Sequence, residues 1–269
     1  MTGSIAARPI TAFTILACAF GWVLYIAAAL GVPLSPGTLP LGPIIAAAIV
    51  AAMMGRPELK KWARGLLALR ASPAWYAVAV VAPVAIVILA VLANYALGAP
   101  LPTASQLAEW PDLLATLAFF LVLIGIGEEA GWTAFAAPRL LDRHPFLTAW
   151  MMLSAIRVTW HLPLMLSGDL PWSLGIGGNA AFQLLVLWIF LRSGRVWFLA
   201  AIWHAMLNTT GGTFFFQMVQ GEDQSRLALL MTAGYIIAAA AVLLLDRRGV
   251  PGVAFTPRRF TRQSAEPPL

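Results

Sequence analysis

Six polar side chains lie within stretches of the chain that are otherwise apolar enough to cross a membrane. They are Glu128, Glu129, Arg157, His161, His204 and Asn208. An ionisable group at mid-bilayer costs about 2.5–3.5 kcal/mol, so such groups normally face a cavity lined by protein or water. Two carboxylates, two imidazoles, an amide and a guanidinium can activate water, supply a proton and stabilise an oxyanion. Together they indicate a hydrolytic site.

The spacing of these residues assigns them to shared helix faces. Residues four apart lie on one face of a helix, which pairs Arg157 with His161 and His204 with Asn208. The adjacent glutamates instead project about 100° apart around the helix axis. We therefore expect one glutamate to meet the substrate while the other is held by structural contacts.

Other interpretations of the same residues remain open. The histidines and Asn208 could form interhelical hydrogen bonds, and the glutamates could form a proton relay. Arg157 could neutralise a glutamate, and Asn179 and Gln183 are interpreted as packing residues. A second chemistry is a zinc site with an open coordination position. Its ligands would be Glu128, His161 and His204.

The composition places these residues in a membrane protein. The 269 residues are 61% hydrophobic and only 10% charged, with a mean hydropathy of +0.84, which excludes a water-soluble globule. Transmembrane strands would alternate in polarity, whereas these runs are apolar on every side. We predict an all-α bundle of about eight transmembrane helices in the cell membrane. The runs are 10–32, 38–55, 74–97, 112–136, 146–167, 173–191, 196–216 and 228–245.

The basic residues predict the orientation of the bundle. Apart from Arg157 and Arg226, they occupy the N-terminus and every second connection between the runs. The positive-inside rule then places both termini in the cytoplasm. The net charge of +6 reflects this topology and attraction to anionic lipid headgroups, and no nucleic-acid partner is expected. We predict one membrane domain over residues 1–248 and a short disordered cytoplasmic tail over 249–269.

Three strings on successive runs carry a resemblance to a known family. GEEAGWTAF, WHLPL and HAMLN, in this order, resemble the CPBP family (CAAX protease and bacteriocin-processing, also called Abi) of intramembrane proteases. The motif core spans about 110–212. The resemblance implies that Glu128 is the catalytic base and that His161, His204 and Asn208 complete the site, with Glu129 as a structural neighbour. The family is often described as metalloproteases, but similarity to archaeal and eukaryotic CAAX proteases favours a glutamate-activated water without metal.

Two positions depart from the family pattern. Thr133 stands where the family has an arginine, and Arg157 stands where an aromatic residue is usual. The family arginine lies four residues after the second glutamate and can neutralise it. We hypothesise that Arg157 supplies this charge to Glu129 from the neighbouring helix. The alternative is a degenerate member that keeps the fold without peptidase activity.

The predicted function is an endopeptidase that cleaves a peptide or membrane-protein substrate from the cytoplasmic side of the bilayer. The resemblance suggests bacteriocin processing or self-immunity in a bacterium rather than prenylated substrates. A non-catalytic immunity or scaffold protein is the first alternative. A proton-coupled transporter is less favoured, because paired broken helices are not evident in the sequence.

Overall fold

The computed structural model describes residues 8–33 and 39–247, which form helices without a strand. This confirms the predicted all-α class. We number the helices α1 Pro9–Gly21, α2 Val23–Ala29, α3 Gly42–Met53, α4 Arg56–Leu66, α5 Pro73–Ala96, α6 Ala104–Leu107, α7 Asp112–Leu141, α8 Phe146–Trp160, α9 Leu162–Ser167, α10 Leu174–Arg192, α11 Phe198–Leu207 and α12 Gly221–Arg247. After α11 the chain continues as a π-helical segment, Asn208–Phe214, and a short 3-10 helix, Phe215–Met218. The predicted tail at 249–269 lies outside the described residues.

Four helices in the described part of the chain are long and apolar enough to cross a membrane: α5, α7, α10 and α12. A fifth span results if α1 and α2, which meet at a bend of 51°, are taken together. The helices α3 and α8 are apolar but shorter. The run at 146–167 divides after Trp160 because Pro163 has no N–H with which to continue the hydrogen-bonded helix. The predicted count of eight spans and the orientation of the termini therefore stay predictions.

Helix α10 lies at the centre of the bundle. Its apolar window is 61% buried, against 28–33% for α5, α7 and α12. It packs against α8, α11 and α12. Helix α10 therefore lies between the helices that carry the candidate site.

One end of the bundle, which we call the basic end, collects the connections rich in Lys and Arg. It comprises α4 and the connections at 142–145 and 193–197. Arg139 Nη2 donates to Glu58 Oε2 (2.8 Å), and Arg195 Nη2 donates to Asp142 Oδ1 (2.9 Å). These ion pairs join helix α4 to α7, and the start of α11 to the end of α7.

The opposite end, which we call the acidic end, contains the connections at 97–111, 168–173 and 215–220. Arg226 Nε donates to Asn94 Oδ1 (2.7 Å), which joins the start of α12 to the end of α5. The Tyr25 hydroxyl donates to Asp169 Oδ2 (3.3 Å), which joins α2 to the connection after α9. The two ends are thus separated by the length of the long helices.

The segment that carries the two glutamates interrupts α7. Gly127–Gly131 is α-helical, but it lies between two π-helical segments, Leu121–Ile126 and Trp132–Ala136. π-Helical turns are rare and frequently occur at functional sites. A Cβ atom at Gly131 would lie 2.5 Å from the carbonyl oxygen of Pro43 at the start of α3. Glycine is therefore required for the close approach of α7 and α3.

Candidate active site

Glu129 is the more enclosed of the two glutamates, and both of its carboxylate oxygens have protein partners. Its side chain is 0% exposed. Oε1 accepts hydrogen bonds from Arg157 Nη2 (2.6 Å) and His204 Nδ1 (3.0 Å), and Oε2 accepts one from Thr133 Oγ1 (2.5 Å). Glu129 therefore joins α7, α8 and α11.

Arg157 is fully buried and reaches Glu129 from α8. Its Nε donates to Gln183 Oε1 (2.9 Å) on α10. The guanidinium carbon lies 5.0 Å from the ring centre of Phe182 and 5.6 Å from that of Trp132, distances at which a cation is attracted to an aromatic ring. The contact that the charge-compensation hypothesis requires is present.

Glu128 has fewer and longer contacts. Trp132 Nε1 donates to its Oε2 across 3.4 Å, and Arg157 Nη1 lies 3.8 Å from the same oxygen. The latter distance is too long for a hydrogen bond, and Nη1 has no hydrogen-bond partner. Glu128 thus remains close to a positive charge while its carboxylate is not saturated by protein donors.

The two histidines each have one ring nitrogen fixed by a protein contact. His161 Nδ1 lies 2.8 Å from the carbonyl oxygen of Arg157. Because a carbonyl can only accept, His161 Nδ1 carries a proton, and in the neutral ring Nε2 is an acceptor. His204 Nδ1 donates in the same way to the carboxylate of Glu129, which also accepts from Arg157. Both rings therefore leave Nε2 for other partners.

Four of the predicted site residues line a cavity of about 310 Å³: Glu128, His161, His204 and Asn208. Asn208 donates one amide N–H to the carbonyl oxygen of His204 (3.2 Å), which leaves its second N–H available. Glu129 and Arg157 do not line the cavity and lie behind it. The structure thus gives the two glutamates different environments, as their angular separation predicts.

The zinc interpretation requires three ligands arranged around one point. Within residues 8–33 and 39–247, no three His, Cys, Asp or Glu side chains are arranged to hold a metal ion. The set of Glu128, His161 and His204 therefore does not fit a zinc site, and no step below is routed through a metal.

Three features of the site were not predicted from the sequence. Gln183, interpreted as a packing residue, orients the Arg157 guanidinium. Trp62 of α4 donates its indole N–H to the carbonyl oxygen of Ala130 (3.1 Å), next to the glutamates. The π-helical segments on both sides of the glutamates are the third feature. Of these three features, only Gln183 could have been recognised from the sequence, as an uncharged polar residue in an apolar run.

The part of the chain that contains this site matches a known protein family. Residues 110–210 match the family described as Type II CAAX prenyl endopeptidase, Rce1-like. The matched range contains all six residues of the predicted constellation. No curated protein matches the chain closely enough to serve as a relative. The match confirms the resemblance to the CPBP and CAAX-protease family, and it supports a peptidase of the membrane.

Proposed function

We propose that the protein is an intramembrane endopeptidase in which Glu128 activates the attacking water. The observation that carries the proposal is the different environment of the two adjacent glutamates. Glu128 lines the cavity, and its carboxylate oxygens can accept further hydrogen bonds. Both oxygens of Glu129, in contrast, already accept hydrogen bonds from Arg157, Thr133 and His204. Of the two glutamates, only Glu128 combines access to a substrate with capacity to accept a proton.

The first step is attack of water on the carbonyl carbon of the scissile peptide bond. Glu128 takes one proton from the water as the new C–O bond forms. The unprotonated Nε2 of His161 accepts a hydrogen bond from the other water hydrogen and so orients the nucleophile. The carbonyl oxygen becomes the oxyanion of a tetrahedral intermediate.

The second step is collapse of this intermediate. The free amide N–H of Asn208 stabilises the oxyanion, and His204 does so from Nε2 when its ring is protonated. Glu129 accepts from His204 Nδ1 at 3.0 Å and stabilises the positive charge that such a ring carries. Glu128 returns its proton to the leaving nitrogen, the C–N bond breaks, and a carboxylic acid and an amine are released.

The charge of Arg157 is the observation that speaks against a degenerate member. Loss of the family arginine at Thr133 would leave Glu129 without a cation if no other residue replaced it. Arg157 lies 2.6 Å from Glu129, and Thr133 itself donates to the other oxygen. Both departures from the family pattern therefore meet at the same carboxylate.

The biological assignment follows from the resemblance. The proposed substrate is a peptide or membrane protein within or next to the bilayer, with bacteriocin processing or self-immunity as the proposed context in a bacterial plasma membrane. Eight spans and cytoplasmic termini belong to this proposal. A non-catalytic scaffold is the second candidate, and it would tolerate replacement of Glu128 by glutamine.

The test is hydrolysis of a quenched fluorescent peptide library by detergent-purified protein. Wild type is compared with Glu128→Gln, and both are repeated with a zinc chelator. We expect cleavage by wild type that is indifferent to the chelator, and at least about 100-fold slower cleavage by the variant, because a positioned base contributes about 10²–10⁴-fold. Equal cleavage by both proteins would contradict the proposal, and loss of activity with chelator would contradict the metal-free step.

A further inference from the structure

The wall of the cavity contains residues from three connections of the chain. Asp169, Leu170 and Pro171 follow α9, Phe216 and Gln217 follow α11, and Pro40 precedes α3. The remaining lining residues come from the long helices and from the residues that flank the catalytic set. The first two of these connections mark the part of the cavity that reaches an end of the bundle, whereas Pro40 lies beside Gly127, next to the glutamates.

The connections after α9 and after α11 lie at the acidic end. The Tyr25 hydroxyl contacts both Asp169 and Ser167, and Gln106 Nε2 donates to the carbonyl oxygen of Met218 (3.3 Å), directly after Gln217. Gln106 belongs to the 97–111 connection that follows α5. The side chains of Asp169 and Gln217 are exposed, so both residues are accessible at this end.

The basic end makes no contribution to the cavity. Among the residues that line it, none is Lys or Arg, and none comes from α4 or from the connections at 142–145 and 193–197. Instead, α4 covers this side of the site, because Trp62 is buried and binds the carbonyl oxygen of Ala130. The cavity is thus open at the acidic end and covered at the basic end.

The positive-inside rule places the basic end in the cytoplasm. We infer that the cavity opens to the non-cytoplasmic side of the membrane and receives a peptide segment that has been exported or translocated to that side. This inference rests on the proposed peptidase function for its substrate class. It reverses the cytoplasmic access predicted from the sequence, because the sequence does not show which connections surround the cavity.

The charge at the opening favours the same kind of substrate. The Asp169 carboxylate lies in the wall, where Ser167 Oγ donates to its Oδ2 (2.6 Å), and no Lys or Arg side chain lines the cavity. A free C-terminal carboxylate close to the scissile bond would approach the Asp169 and Glu128 carboxylates without a Lys or Arg in the cavity wall to pair with it. An internal peptide segment that is neutral or basic near the opening avoids this repulsion.

The experiment measures the accessibility of single cysteines and does not depend on activity. Cys18 is the only cysteine of the chain, so Cys18→Ala provides a background without thiols. Three variants are made on it: Gln217→Cys at the opening, Leu207→Cys inside the cavity and Lys60→Cys at the basic end. Spheroplasts of a bacterial expression host are treated with a membrane-impermeant maleimide before and after permeabilisation.

We expect Gln217→Cys and Leu207→Cys to react in intact spheroplasts and Lys60→Cys to react only after permeabilisation. Reaction of Lys60→Cys in intact spheroplasts would overturn the orientation. Reaction of Leu207→Cys only after permeabilisation, or not at all, would overturn the opening at the acidic end. Because labelling needs no substrate, an inactive protein that labels as expected would contradict the proposed function and leave the access side standing.

Discussion

At the residue scale, a buried carboxylate receives its cation from a different helix than the family pattern would suggest. The usual arginine would lie on α7 at position 133, one turn from Glu129. In this chain the guanidinium comes from Arg157 on α8 and is held by Gln183 on α10. The smaller Thr133 fills the vacated position and donates to the same carboxylate. The site thus keeps a cation beside Glu129, but this cation comes from α8 instead of α7.

Arg157→Ala is expected to destabilise the protein strongly. Removing one partner of a buried ion pair costs about 3–5 kcal/mol, because the other charge stays buried and uncompensated. The measurement is the midpoint of thermal aggregation of detergent-purified protein. Adding Thr133→Arg to this variant should restore part of the lost stability by returning a cation to Glu129.

Asp142→Asn is the matched control for this prediction. It breaks the exposed pair between Asp142 and Arg195, whose side chains are 52% and 46% exposed, and such pairs contribute about 0–1 kcal/mol. A double variant no more stable than Arg157→Ala alone would contradict the charge-compensation hypothesis.

At the element scale, close contacts of α7 with its neighbours hold the two glutamates in place. A Cβ at Gly125 would lie 2.6 Å from the carbonyl oxygen of Ala201 on α11, and one at Gly131 would meet Pro43 on α3. The π-helical segments alternate with the α-helical turn that bears the glutamates. The position of α7 is therefore set by backbone contacts on two sides.

Gly131→Ala is expected to destabilise the protein by about 1–3 kcal/mol, because the added methyl group overpacks a rigid backbone contact. Gly65→Ala is the control, since a Cβ at Gly65 in α4 meets nothing within 4 Å. Alanine there should leave stability unchanged or raise it slightly through its higher helix propensity. Thermal unfolding of both variants checks the difference, and equal midpoints would show that α7 can move away from α3.

At the scale of the whole molecule, the sequence predicted the fold class and the set of polar site residues. It did not predict the lengths of all helices or the side on which the cavity opens. The cost of polar groups in apolar runs predicted that six side chains form one site, and the structure places four of them, Glu128, His161, His204 and Asn208, around one cavity. Helix lengths were less predictable: α3 and α8 are shorter than the apolar runs that contain them. The side of the opening depends on connections that composition cannot place.

A bulky maleimide at the cavity opening is expected to block cleavage. In the Cys18→Ala background, modification of Gln217→Cys should abolish most of that variant's own hydrolysis of the library, because the adduct occupies the opening. Modification of Lys60→Cys, at the covered basic end, should leave the rate of that variant unchanged. Inhibition by the adduct at residue 60 alone would contradict the proposed route of entry.

The central claim is that one glutamate performs the chemistry while its neighbour holds the helices together. The most direct measurement compares Glu128→Gln with Glu129→Gln for both peptide hydrolysis and thermal stability. Glu128→Gln is expected to keep the stability of wild type and lose hydrolysis. Glu129→Gln is expected to lose stability, because the buried Arg157 would face a neutral amide. Hydrolysis by Glu128→Gln at the wild-type rate, or a Glu129→Gln protein as stable as wild type, would contradict this division of roles.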